Sequence, residues 1–130
     1  MGLKLYRVIV PAYDIEIAVK FYSKILGFDG ERISPGRHYF DCGGTILACY
    51  DPEADGDGRG DGWQPHFNQY IYLAVDNLEA VFGLVEAAGG RIEAAIEKKP
   101  WGERLFYARD PSGNPISFVE AQTVFTGSGE

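Results

Sequence analysis

The feature that most constrains this chain is that its opening occurs twice. Arg7-Val8-Ile9-Val10 runs into Asp14-Ile15-Glu16 and closes at Gly27, while Tyr70-Ile71-Tyr72-Leu73 runs into Asn77-Leu78-Glu79 and closes at Gly90. One gap-free register relates the copies from Arg7/Tyr70 to Gly27/Gly90, so the repeat spans a strand, a turn and a helix. Equivalent positions in the two copies should therefore carry equivalent jobs.

Within each copy the pattern predicts β-α-β-β-β. Leu3 to Pro11 alternates as a strand, with Val8 and Val10 on one face and Arg7 and Ile9 on the other. Asp14 is the expected helix N-cap. Ile15, Ala18, Val19, Tyr22, Ile25 and Leu26 then follow helical spacing, and Gly27 supplies the stop. Strands are expected near Gly30 to Ile33, Arg37 to Asp41 and Thr45 to Tyr50, with Gly43-Gly44 as a tight turn. The second copy repeats this with a strand from Phe67 to Val75 and a helix carrying Leu78, Val81, Phe82, Val85 and Ala88, ended by Gly89-Gly90. Its later strands fall near Arg91 to Ile96, Arg104 to Arg109 and Pro115 to Ala121.

One domain over the 130 residues is expected, with module one from about Leu3 to Tyr50 and module two from about His66 to Ala121. The Gly- and Asp-rich stretch Asp51 to Pro65 is expected to be a flexible linker, and the tail from Gln122 to Glu130 to fray. Asp55-Gly56-Asp57-Gly58 resembles the opening of a calcium loop. The third ligand position is Arg59 and the twelfth is His66, so calcium is not expected.

The net charge of −7 argues against nucleic acid or an anionic membrane as partner, because phosphate binding needs clustered Lys and Arg. It is compatible with a cationic ligand, although solubility alone accounts for it more simply. No apolar run approaches the roughly 20 residues that span a bilayer. Met1-Gly2-Leu3-Lys4 enters a strand pattern without a secretory leader's apolar core. Cys42 and Cys49 lie at unequal distances from the Gly43-Gly44 turn, so no disulfide is expected and the cytoplasm is the expected location.

Several residues carry a family resemblance that covers Leu3 to about Ala121. They are the two β-α-β-β-β copies, Phe21-Tyr22 late in the first helix, Leu26-Gly27-Phe28 at its end, and Trp101-Gly102 followed by Asp110-Pro111-Ser112-Gly113-Asn114. Together they resemble the vicinal oxygen chelate superfamily of glyoxalases, bleomycin-resistance proteins and extradiol dioxygenases. The resemblance implies an α+β fold in which two tandem βαβββ modules form a curved mixed sheet, with helices outside and a concave ligand cavity. It speaks to fold more than to activity, since one scaffold hosts many chemistries.

In metal-dependent members each copy supplies two ligands, a His or Gln on its first strand and a Glu on its fourth. Carried over by position, these fall on Arg7 and Ala48 in copy one and on Tyr70 and Ser117 in copy two. None is a usual ligand, so no metal or other cofactor is expected. A displaced metal or acid–base site could instead draw on His38 or His66 with Asp41, Glu103 or Glu120.

By strand parity the concave face should show Arg7, Ile9, Ala48, Tyr50, Tyr70, Tyr72, Ser117 and Val119. Tyr107, Glu103 and Trp101 are expected to join them. Arg7, Ile9, Tyr50, Tyr70, Tyr72, Trp101, Glu103, Tyr107 and Ser117 are the candidate ligand-binding residues, an aromatic-walled set with a few polar points. An Arg7–Glu103 ion pair and a packing role for Trp101-Gly102 are the alternatives to ligand contact.

Three functions remain open from the sequence. The first is a metal-free homodimer that resembles the bleomycin-resistance branch and binds or sequesters a small aromatic or cationic molecule. The second is an enzyme, either metal-dependent through displaced ligands or working by acid–base chemistry through Glu103, Tyr107 or Tyr70. The third is a regulatory module with a vestigial pocket.

Overall fold

The computed structural model describes residues 2–126. Module one contains β1 (Arg7–Pro11), α1 (Ile15–Leu26), β2 (Glu31–Ser34), β3 (Arg37–Cys42) and β4 (Thr45–Tyr50). Module two contains β5 (Ile71–Val75), α2 (Leu78–Ala87), β6 (Arg91–Lys98), β7 (Arg104–Arg109) and β8 (Pro115–Glu120), followed by a 3-10 turn (Ala121–Thr123). Two four-stranded mixed sheets result, ordered β1-β4-β3-β2 and β5-β8-β7-β6, in which only the β1–β4 and β5–β8 pairs are parallel. Of the tail expected to fray, positions 127–130 lie outside the described residues.

The helix boundaries follow local chemistry. The Asp14 carboxylate accepts the backbone N–H groups of Glu16 and Ile17 and so opens α1. Gly27 ends α1 at φ 83°, with its N–H donating to Ser23 O. Asn77 caps α2 through the Ala80 N–H. One apolar cluster draws on both modules, joining Phe40, Leu47 and Cys49 to Phe106, Ile116 and Phe118 through the helix residues Phe21, Leu78 and Val85.

Two strands start later than alternation predicts, at Arg7 rather than Leu3 and at Ile71 rather than Phe67. The partner strand sets the length. Arg7 pairs with Ile46 one residue after β4 begins at Thr45, and Ile71 pairs with Ile116 one residue after β8 begins at Pro115. Cys42 and Cys49 are free thiols that pair across the ladder with Thr45 and His38 rather than with each other.

The first part of the segment expected to be a linker, from Asp51 to Arg59, makes specific contacts with module one. The Asp55 carboxylate accepts the Gly36 N–H at 2.6 Å and pairs with Arg37 at 3.2 Å. Arg59 pairs with Asp51 and Glu53, donates to Tyr13 O, and lies 5.3 Å from the Tyr13 ring centre and 5.1 Å from that of Trp63. Asp57 accepts the Tyr50 hydroxyl at 2.7 Å. The calcium-like tract therefore spends its carboxylates on neighbouring side chains and backbone.

Candidate functional site

The helices cover one face of each sheet, and the opposite, open faces carry the candidate residues. In module two, Ser117 of β8 pairs with Tyr72 of β5 on one side and with Tyr107 of β7 on the other. The small side chain between two tyrosines lets their rings meet above it, with centroids 6.5 Å apart and planes at 84°. Tyr70, just before β5, meets Tyr107 edge-on at 5.3 Å. Ser117 itself is fully buried and its hydroxyl donates to Phe106 O at 3.0 Å, so it supports the rings from beneath.

The β6–β7 hairpin supplies the rest of this face. The Trp101 indole N–H donates to the Glu103 carboxylate at 2.8 Å, and the ring is 63% exposed. Within the chain most of the Trp101 surface meets solvent. The Lys99 ammonium lies 5.4 Å from the Tyr107 ring centre and 5.9 Å from that of Trp101, and pairs with Glu97. At the other end of the row, Glu93 accepts the Tyr70 hydroxyl at 3.2 Å and Arg109 Nε at 2.9 Å. The ladder register shifts between Ile92 and Ala94, and this irregularity leaves Glu93 without a cross-strand partner.

Module one presents different chemistry. Arg7 donates from Nη1 to the Tyr39 hydroxyl at 2.6 Å, and its guanidinium lies 5.3 Å and 5.5 Å from the Tyr6 and Tyr39 ring centres. Ile9 and Tyr39 both pair with Ala48, which is buried between them. Tyr50 is covered by the Arg37 guanidinium at 4.2 Å, and its hydroxyl donates to Asp57 at 2.7 Å. The anticipated Arg7–Glu103 ion pair does not form within the chain, since Arg7 is engaged by Tyr39 and Glu103 by Trp101.

Neither histidine gathers carboxylates around it. His38 Nε2 contacts Asp29 O at 2.7 Å from the helix-facing side of β3, and His66 Nε2 contacts Ile9 O at 2.9 Å. Asp41 accepts the Gly44 N–H, and Glu120 pairs with Arg104. The four positions assigned to metal ligands carry a guanidinium, a methyl, a phenol and a hydroxyl already donated to backbone, a donor set that does not fit a divalent ion. Among the described residues no group of three or more His, Cys, Asp or Glu converges as a metal site.

Burial raises the Tyr70 and Tyr72 hydroxyls above their ordinary range, so both are neutral donors at physiological pH. Glu93 is lowered, chiefly by its hydrogen bond from Arg109, and stays ionised. The face therefore combines neutral phenols with fixed charges and is suited to contact and orientation of a ligand. A cleft of ≈ 400 Å³ lies at the seam between the modules, lined by Leu5, Val8 and Leu47 on one side and Tyr70, Ile71 and Tyr72 on the other. Glu93, Lys99 and Tyr39 were missed by sequence reasoning. Parity with Arg37 and Asp41 could have found Tyr39, whereas Glu93 depends on an irregularity that alternation cannot show.

A family model described as the Glyoxalase/Bleomycin resistance protein/Dioxygenase superfamily matches residues 4–118. No curated protein matches the sequence. Among solved structures, a glyoxalase-related enzyme from Fulvimarina pelagi is similar at TM-score 0.78 and 18% identity, covering 96% of this chain and 93% of its own. Lactoylglutathione lyase from Agrobacterium tumefaciens is similar at TM-score 0.67 and 21% identity, covering 94% and 96%. TioX from Micromonospora sp. ML1 is similar at TM-score 0.67 and 22% identity, covering 91% and 98%. At these identities the likeness concerns the fold. Among the described residues no helix is long and apolar enough to cross a membrane.

Proposed function

The chain belongs to the glyoxalase/bleomycin-resistance/dioxygenase superfamily, and from that premise we propose that it binds a small aromatic or cationic molecule without a bound metal and without turning it over. The observation that carries this reading is a replacement. Where metal-dependent relatives place ligands, this chain has Arg7, Ala48, Tyr70 and Ser117, and the rings of Tyr70, Tyr72, Tyr107 and Trp101 stand on the same side of the second sheet. Aromatic surface with a few fixed polar groups is the usual composition of a small-molecule site.

We further propose that it acts as a cytoplasmic homodimer. β1 and β5 are sheet edges; Ile9 on the first and Tyr72 on the second are exposed, as are Leu5 and Tyr6 just before β1 and Phe67 in the approach to β5. A second copy would cover these residues and the open edges together. Two free thiols agree with a reducing compartment.

The test is metal content after incubation with Zn, Ni, Mn and Fe(II) in turn, followed by calorimetric screening of aromatic and cationic compounds. No stoichiometric metal is expected. Trp101→Ala should weaken any hit by about tenfold while leaving the unfolding curve unchanged, because the ring is mostly exposed. One tightly held ion per chain would overturn the metal-free reading. Turnover of a bound compound would replace it with acid–base chemistry at Glu103 or Tyr107.

A further inference from the structure

The β6–β7 hairpin places a cation against aromatic rings where a ligand would sit. Lys99 lies in the turn after β6, a position from which a lysine normally extends its ammonium into water. Instead its side chain is only 19% exposed. Its ammonium lies within cation–π range of both Tyr107, at 5.4 Å, and Trp101, at 5.9 Å. Glu97 supplies the counter-charge, and Glu103 fixes the indole through Nε1. The two rings and the Glu97 carboxylate thus already surround an ammonium group.

We propose that Lys99 holds, from within the chain, the place of a ligand's ammonium group, so that the ring cluster of module two is a site for alkylammonium compounds and Lys99 is its tethered competitor. The proposal rests on the small-molecule role assigned to this face and narrows it to one chemical class. Two features make exchange feasible. Trp101 is 63% and Tyr72 51% exposed, so the ring faces are open to an entering group. The turn is held by backbone, with Lys99 N–H donating to Glu103 O at 2.7 Å and Gly102 N–H to Lys99 O at 2.9 Å, so the lysine side chain can leave without unfolding the hairpin. A methylated ammonium is more weakly hydrated than a lysine ammonium and meets the ring faces with more surface, which favours it in the exchange. The net charge of −7 adds a general attraction for cations.

The experiment titrates choline and its neutral isostere, 3,3-dimethylbutan-1-ol, into wild type, Lys99→Ala and Lys99→Ser by calorimetry, with circular dichroism as the folding check. Choline should bind both variants about tenfold more tightly than wild type, bind Lys99→Ala/Trp101→Ala about tenfold more weakly than Lys99→Ala, and exceed the alcohol by about tenfold on the single variants. Equal affinity of choline for wild type and both variants overturns the proposal, as does absence of choline binding to either folded variant. Equal affinity for choline and the alcohol also overturns it. That result would leave the face a small-molecule site, so the broader function would survive the failure of the ammonium assignment.

Discussion

The two modules share a plan, yet their matching turns do opposite work. Before the last strand of module one, Asp41 is exposed and its carboxylate accepts only the Gly44 N–H. Before the last strand of module two, Asp110 is buried and accepts the Tyr22 hydroxyl at 2.7 Å, the N–H groups of Ser112 and Asn114, and the Asn114 side-chain amide at 2.9 Å. The Asn114 amide also donates to Pro11 O at 2.7 Å, and its carbonyl accepts the His66 N–H. One turn therefore fastens module two to α1 and β1, and the other simply reverses the chain. The asymmetry is one of position. Asp41 sits within β3 opposite Ile46, as Arg109 sits within β7 opposite Pro115, whereas Asp110 lies one residue beyond β7 with the parity of the core residues Phe106 and Ala108 and so meets Tyr22.

Asp110→Ala should break this comparison most severely. It strands a buried hydroxyl, a side-chain amide and two backbone donors, and a loss of about 3 kcal/mol or more in urea unfolding is expected. Asp41→Ala removes one exposed hydrogen bond and should cost no more than about 1 kcal/mol. Equal losses would show that the Asp110 network does not hold the modules together.

The glycines that end the repeat sharpen the contrast on a smaller scale. Gly27 closes α1 at φ 83° with open space where a Cβ would lie, so Gly27→Ala meets backbone strain alone and should cost about 1 kcal/mol. At Gly90 a Cβ would lie 2.8 Å from a Phe21 ring carbon, 2.9 Å from Arg109 O and 2.9 Å from a Val85 methyl. Gly90→Ala should therefore cost about 2 kcal/mol through crowding against Phe21 of module one and against Val85 and the Arg109 carbonyl of its own module. A smaller loss at Gly90 than at Gly27 would mean that these neighbours yield easily.

These glycines also mark what could be read from the sequence. Periodicity and caps revealed β-α-β-β-β twice, because they act within a few residues. The repeat register pairs Gly27 with Gly90, yet the left-handed residue after α2 is Gly89, and Gly90 serves as a contact for Phe21. The bond between Tyr22 and Asp110 spans 88 positions and leaves no local pattern. Strand starts were misplaced because the partner strand, not alternation, sets where pairing begins. On the candidate face, parity placed Tyr72 and Tyr107 together. It could not show that Ser117 is sealed beneath them or that Lys99 folds back onto the rings. Both depend on side chains closing over one another.

The smallest effect concerns how the fastening responds to acid. Burial is the largest influence on Asp110 and raises its carboxyl above the usual range, against hydrogen bonds from Asn114 and Tyr22 that lower it. A carboxyl raised on folding holds its proton more tightly in the native state. Its contribution is fully present below the unfolded pKa and is lost as pH rises through the folded one. Glu16, Asp55, Glu79 and Glu93 are lowered and act in the opposite sense, so the behaviour of the whole protein would mask Asp110. Its buried neighbours do not interfere, since Tyr22 is held well above its ordinary range and the Cys49 thiol is pushed up to about 12. The difference between wild type and Asp110→Asn isolates the group. Measured by urea unfolding, that difference should shift in favour of wild type as pH falls from about 7 to about 4. A difference that moves the other way would mean that the hydrogen bonds outweigh burial and that the modules are fastened by an ionised carboxylate.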